Sequence, residues 1–349
     1  MFTLKPNKTI FLLIILLVDT SYSLKFSENK KSSDAEQWVQ YSGGNGLGKG
    51  KHIVFVTADQ EYRAEEGMPQ MAKILSKRHG FKCTVLFPID KKTGAIDPEE
   101  LINVPVLDLL GSADLMVLVA RRIELPDNQM KHIIDFTNSG KPIIGLRTAN
   151  HPFQYDKETT SIYAKYSGPF GYTDEKFSGG YGRQVFGDTW VAHYGEHGKE
   201  STRGVIAKGQ ENHPIVRGCE NIWGPTDVYE VGKLIGDSRP IIMGQVLIGM
   251  NPNDPPNKKK SLMPLAWTKT YTGDSGNTSR IFFTTMGAAT DLESEGLRRL
   301  LVNAAYWCLG MEKIIPERSN VEIIGTYKPT DFGFDNYKRG VSPQSHRME

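Results

Sequence analysis

The stretch 141-KPIIGLRTANHPF-153 decides how this chain is read. Pro142-Ile143-Ile144-Gly145 has the composition of a short buried strand: apolar, β-branched, preceded by Gly140 and followed at once by polar residues. The chain must then turn sharply, and it presents Arg147, Thr148, Asn150 and His151 in quick succession. In open α/β sheets ligands bind just beyond the carboxyl ends of the strands. A polar cluster at such a strand end is therefore a candidate site.

Working outward, strands alternate with helices. His52-Ile53-Val54-Phe55-Val56-Thr57 reads as the first strand, followed by the loop 58-ADQEYRAE-65. Met68, Met71, Ala72 and Leu75 then fall at i, i+3, i+4 and i+7, one stripe of a helix closed by His79-Gly80. Residues 82–87 form the next strand, Asp97-Pro98-Glu99-Glu100 signals a helix start, and 114-DLMVLVA-120 is a third strand. Pro126 opens a helix with the stripe Met130, Ile133, Ile134 and Thr137, and Gly140 ends it. Such alternation implies a parallel sheet with right-handed crossovers. The loops 58–65, 120–125 and 146–153 should then meet on one rim. Residues 154–188 break the rhythm and read as an insertion over that rim. Extended segments are expected near 204–210, 227–231, 241–247, 265–268 and 280–285, then a helix over 295–309.

A length of 349 residues accommodates one large α/β domain or two small ones. The net charge of +2 and the absence of a long basic tract argue against a nucleic-acid partner. Lys5 and Lys8, the apolar run 10–18 and Ser21-Tyr22-Ser23 have the layout of a signal peptide cleaved after Ser23, and the run is too short for a good spanning helix. The expectation is an exported protein, secreted or periplasmic, with no stable membrane insertion after cleavage. Residues 24–50 read as a flexible lead-in, 51–315 as the α/β domain and 316–349 as a tail over its body. The three cysteines, Cys83, Cys219 and Cys308, match no metal spacing and carry no flanking motif that would lower a thiol pKa.

Several motifs in a shared order carry a family resemblance. These are 54-VFVTADQEYRAEEGMPQMAKIL-75, the stretch 141–153, 213-HPIVRGC-219, 226-TDVYEV-231, 263-MPLAWTK-269, 280-RIFFTTMGAA-289 and 296-GLRRLLVNAAYW-307. Together they resemble the ThuA-like, or trehalose-utilisation, family of the class I glutamine amidotransferase-like superfamily. The resemblance spans about residues 51–315 and implies a flavodoxin-like, doubly wound, mostly parallel α/β fold and a sugar-related role. The superfamily's amidotransferases place a Cys third in a Gly-x-Cys-x-Gly elbow. The matching run here is Gly145-Leu146-Arg147-Thr148-Ala149. A guanidinium stays protonated and cannot attack a carbonyl, which excludes glutamine hydrolysis by that route. The resemblance implies a His near this elbow and a Gly-His after the late strand, where this chain has Arg147 and Gly287-Ala288-Ala289.

The candidate catalytic residues are Glu61, His193 and Asp227, three groups able to divide acid and base roles near neutral pH. Glu61 could instead pair with Arg63 or cap the helix. Arg63, Arg121 and Arg147, on the same rim, are candidates to hold carboxylate, phosphate or sugar oxygens. Asn150 and His151 end the elbow and are candidate substrate contacts, as are His197 and Arg203. Trp223 beside Asp227 suits a sugar, the ring stacking on its apolar face. His193 and His197 are spaced for one helix face, but Gly195 and Gly198 oppose a helix and no third ligand is apparent, so no metal or other cofactor is expected. Two functions stay open: an enzyme acting on a carbohydrate or oxidised sugar by general acid/base chemistry, and a non-catalytic carbohydrate-binding module using the same rim. Nothing in the chain fixes an oligomeric state.

Overall fold

The computed structural model describes residues 1–3 and 37–348. Residues 4–23 of the expected signal peptide, with its cleavage point, lie outside the described residues. The strands in chain order are β1 (Trp38–Tyr41), β2 (His52–Ala58), β3 (Lys82–Leu86), β4 (Leu115–Ala120), β5 (Ile143–Leu146), β6 (Ala192–His193), β7 (Thr202–Ile206), β8 (Trp223–Gly224), β9 (Tyr229–Glu230), β10 (Arg239–Val246), β11 (Met263–Thr272) and β12 (Thr278–Thr284). The α-helices are α1 (Ala64–His79), α2 (Asp127–Asn138) and α3 (Glu295–Cys308). No helix among the described residues is long and apolar enough to cross a membrane.

Ten strands form one sheet in the order β1-β3-β2-β4-β5-β12-β11-β10-β7-β8, and β6 pairs with β9 as a separate ribbon. Pairings β2–β3, β2–β4, β4–β5 and β5–β12 are parallel. Pairings β1–β3, β10–β11, β7–β10, β11–β12 and β7–β8 are antiparallel. The sheet is therefore mixed, which corrects the expectation of a mostly parallel one. The parallel half carries the crossovers α1 and α2. In the other half the pairings are antiparallel, and β11 and β12 are joined by a short reversal over 273–277 that needs no crossover helix.

Two apolar cores lie on opposite faces. One joins Met68, Met71 and Leu75 of α1 with Leu297, Leu300 and Leu301 of α3, and the other holds Met130, Ile133 and Ile134 of α2. Strands covered on both sides lose the in–out alternation, and every residue of β2, β4 and β5 is accordingly buried. Beside α2 that face is closed by part of the segment 154–188: Tyr155, Tyr166, Tyr181, Val185 and Phe186 belong to the same core. Phe186 lies over Gly145, where an added Cβ would come within 2.6 Å of its ring. The expected insertion over the rim is thus largely a cover on the sheet face.

Two further expectations change. Within 24–50, read as flexible, Trp38–Tyr41 forms β1 and closes the sheet edge against β3. The helix expected from Asp97 does not form. The Asp97 carboxylate accepts from the Glu99 amide in a local turn, and Pro105 interrupts the next stretch before a short 3-10 helix at Leu107–Ser112. Residues 316–348 run over the body. Arg298 and Arg299 of α3 donate to the carbonyls of Val321 and Ser319, and Glu66 accepts from Thr330.

Candidate active site at the carboxyl edge of the sheet

Asp59, just past β2, shapes the first rim loop. Its Oδ1 accepts from the amides of Glu61 (2.7 Å) and Tyr62 (3.0 Å), and its Oδ2 accepts from the Thr148 hydroxyl at 2.5 Å. One carboxylate therefore folds the loop and ties it to the elbow after β5.

The elbow turns at Arg147, whose φ of 47° lies in the left-handed region that non-glycine residues rarely occupy. Its side chain has no exposed surface. The guanidinium donates to the carbonyls of Asp227 (2.6 Å) and Thr285 (2.8 Å), to the Tyr62 hydroxyl (3.1 Å) and to Asp227 Oδ1 (3.1 Å). It also lies between two aromatic faces, 4.3 Å from the Tyr62 ring centroid and 4.0 Å from that of Tyr229. A planar cation fits such a slot better than an ammonium would.

Asp227 is held from several sides. Before it, Thr226 is fixed by buried Asp291, whose carboxylate accepts from the Thr226 amide and hydroxyl and from the amides of Gly287 and Ala288. After it, β9 pairs with β6, and the Tyr194 amide donates to the Val228 carbonyl at 3.0 Å. The next turn passes over Asp227 at Gly195, where a Cβ would come within 2.8 Å of the Asp227 Cβ. This close crossing delivers two imidazoles to one carboxylate: His193 Nδ1 lies 2.8 Å from Asp227 Oδ2, and His197 Nδ1 lies 2.9 Å from Oδ1. Burial alone would raise the Asp227 pKa, but the Arg147 charge and the hydrogen bonds to His193 and His197 outweigh it and hold the acid well below the usual carboxylate range. Asp227 is therefore an anion and can only accept. Both Nδ1 atoms must carry the proton, which leaves both Nε2 atoms as lone-pair acceptors when the rings are neutral.

Glu61 lies opposite the imidazoles. Arg121 Nε approaches its Oε2 at 3.2 Å, while its Oε1 is 3.6 Å from His197 Nε2. The side chains of His193 and His197 are 30% and 34% exposed, so this edge of the cluster is reachable from solvent.

Aromatic rings frame it. Phe332, from the C-terminal segment, lies 5.2 Å from the His197 ring and 5.7 Å from Tyr62. Phe334 covers the Arg121 guanidinium at 4.7 Å and is 54% exposed. Trp190 sits 5.8 Å from His193 and the same distance from Phe170, which is 49% exposed and covered by Arg122 at 4.5 Å.

The structure thus gathers Glu61, Arg121, Arg147, His193, His197 and Asp227. It changes the roles expected for several residues. Asp227 and Arg147 are sealed from solvent and act by positioning; neither can meet a substrate. Arg63 is fully buried and donates to the carbonyls of Gln60 and Gly333, pinning the C-terminal segment instead of binding a ligand. Asn150 and His151 are buried beneath the cluster, with His151 Nδ1 2.6 Å from Asn150 Oδ1. Burial and then Arg121, Arg122, Arg147 and His193 push the His151 pKa well down, so that ring is neutral. Arg203 is engaged by Gln245 and the carbonyls of Pro252 and Asp254, and Trp223 donates to Ser201; among the described residues neither has a hydrogen bond to the cluster.

Sequence reasoning missed Tyr62, Tyr229, Asp291 and the rings of Trp190, Phe332 and Phe334. It also missed a third group beside the two histidines. Glu61, His193 and His197 each offer one ligand atom, all within 4.8 Å of one another. Glu61 and the histidines come from distant loops, so no spacing rule could join them.

No protein-family model and no curated protein matches this sequence. Among solved structures, one similar chain is a ThuA-like protein of Parabacteroides merdae, 14% identical over 82% of this chain and 98% of that one, with a TM-score of 0.47. The N-terminal domain of IFT52 is 11% identical over 74% of this chain and 97% of that one, with a TM-score of 0.35. An exo-β-1,4-mannosidase of an Opitutaceae bacterium is 8% identical, with a TM-score of 0.29; the match covers 74% of this chain and only 36% of that chain.

Proposed function

We propose that this protein is an exported ThuA-like protein that acts on a carbohydrate or an oxidised sugar by general acid/base chemistry. The ordered motifs between residues 54 and 307 support the family assignment. The parallel strands support a flavodoxin-like topology: taken in chain order β2, β3, β4, β5 and β12, they lie in the order second, first, third, fourth, fifth.

One observation carries the chemical reading: a single buried carboxylate, Asp227, orients two imidazoles toward Glu61 inside a ring of aromatic side chains. His193, with its Nδ1 proton fixed by Asp227, presents Nε2 as a base of set direction, the logic by which an acid orients a catalytic His. Glu61 and His197 supply the complementary proton-bearing and hydroxyl-binding groups. Trp190, Phe332 and Phe334 offer faces on which the apolar side of a sugar ring stacks. The three cysteines are buried among apolar residues and contribute no nucleophile.

The test is incubation of the purified protein with a panel of glycosides and keto-glycosides, followed by mass spectrometry. Conversion of a member of the panel is expected, with His193→Ala abolishing turnover while ligand binding remains measurable. Full activity in that variant removes His193 from the chemistry. The second reading, a carbohydrate-binding module, is favoured by the exposed Phe170 and Phe334 rings. It is adopted if panel members bind without conversion.

A further inference from the structure

We propose that Glu61, His193 and His197 together hold a divalent transition-metal ion, with Asp227 and Arg121 as the groups that orient the ligands. The inference rests on the reading of this pocket as the working site and adds a cofactor to it.

Asp227 lies 2.8 Å from His193 Nδ1 and 2.9 Å from His197 Nδ1, so that nitrogen of each ring is occupied by the carboxylate. One nitrogen of each ring and a Glu61 carboxylate oxygen converge, the three ligand atoms lying within 4.8 Å of one another, with His197 Nε2 facing Glu61 Oε1. Lone pairs facing one another across this gap repel and are reconciled by a shared proton or by a cation between them. The spacing separates these alternatives. His197 Nε2 and Glu61 Oε1 are 3.6 Å apart, too far for a hydrogen bond. Two ligands at about 2.1 Å from one tetrahedral ion stand about 3.4 Å apart, close to that separation.

The surroundings have the arrangement of a metal centre. Metal-binding imidazoles usually donate their other N–H to a carboxylate, and here one carboxylate serves both. Glu61 is likewise held through the oxygen it does not turn toward His197, by Arg121 at 3.2 Å. Two neutral imidazoles and a carboxylate, with no thiolate, form a donor set for zinc or another first-row divalent ion with an open position. The partial exposure of both histidines places that open position toward the aromatic-framed entrance.

The experiment titrates the chelator-stripped full chain with zinc by calorimetry and with cobalt by visible absorption. One ion per chain and the intense bands of a low-symmetry cobalt site are expected. His193→Ala, His197→Ala and Glu61→Gln should each abolish that site, and Asp227→Asn should weaken it about tenfold to a hundredfold without removing a ligand. His132→Ala, outside the cluster, should bind as wild type. Circular dichroism identifies any variant that fails to fold, and the remaining variants then decide. Absence of saturable one-to-one binding, or unchanged affinity in the folded ligand variants, overturns the proposal. If no metal binds yet His193→Ala still removes turnover, the metal site fails and the acid/base reading survives. If zinc binds at these residues and no carbohydrate is converted, the site stands and that reading fails.

Discussion

Arg147 and Asp227 are joined twice, through the Asp227 carbonyl at 2.6 Å and its Oδ1 at 3.1 Å, and neither side chain touches solvent. The pair connects the strained elbow after β5 to the ribbon that carries the histidines. Removing one partner of such a pair leaves an uncompensated buried charge, which costs about 3–5 kcal/mol. Arg147→Met should therefore lower the urea-unfolding free energy by that order. Arg147→Lys should recover only part of it, because an ammonium cannot span Asp227, Thr285 and Tyr62 with one planar fork. Wild-type stability in Arg147→Met would show that the contacts are incidental.

The same pair predicts an acid limb in stability. A carboxyl whose folded pKa lies below its unfolded value, about 3.9 for Asp, contributes fully above that value. The contribution is lost as the pH falls through the unfolded value toward the folded one. Melting temperatures of wild type and Asp227→Asn should differ most above about pH 5 and converge as the pH drops below about 4. A gap constant over the whole acid range contradicts the assignment of Asp227 as the buried anion.

Much of this frame was legible in the sequence, and the reasons differ by element. α1, α2 and α3 each carry an apolar stripe at helical spacing, and β2, β4 and β5 are apolar runs, so local pattern and tertiary environment agree. β1 was not legible because four residues in a polar segment carry too little periodicity to mark a strand. The site was legible where residues follow a strand end, as with Glu61, Arg121 and Arg147. Its aromatic frame was not, since Phe332 and Phe334 lie in an irregular segment that only the fold brings over the pocket. Arg147 was placed on the rim from its position, yet its burial depends on Tyr62 and Tyr229 closing over it.

Gly195 should tolerate no side chain. A Cβ there would meet the Asp227 Cβ at 2.8 Å and its Cα at 3.4 Å, both on a fixed ribbon. Gly195→Ala should lift the turn carrying His193 and His197, at a cost of about 1–3 kcal/mol in stability. Turnover should fall well beyond that stability loss, measured on the folded fraction. Unchanged kinetics would show that this turn adapts and that its crossing does not position the imidazoles.

Glu65, at the start of α1, behaves in the opposite sense to Asp227. Burial, opposed by Arg63, pushes its pKa up to about 8, and neither carboxylate oxygen has a hydrogen-bond partner. Arg63 Nε is 3.7 Å away, outside hydrogen-bond range. A raised acid binds its proton more tightly in the folded state. Its stabilising contribution is complete below the unfolded value, about 4.3, and is lost as pH rises toward about 8. Glu65→Gln should flatten the stability profile over that window and melt higher than wild type at its alkaline end. A parallel pair of melting curves against pH contradicts this.

The central claim is that one buried carboxylate sets the tautomer of two histidines, leaving Nε2 of each without the proton. Nitrogen-15 NMR of the imidazole rings in metal-free protein tests it directly, at about pH 9 where unperturbed imidazoles are neutral. His193 and His197, assigned through His193→Ala and His197→Ala, should both show a protonated Nδ1 and an unprotonated Nε2, and Asp227→Asn should disturb both rings together. Rings carrying the proton on Nε2, or indifferent to Asp227→Asn, would contradict the account.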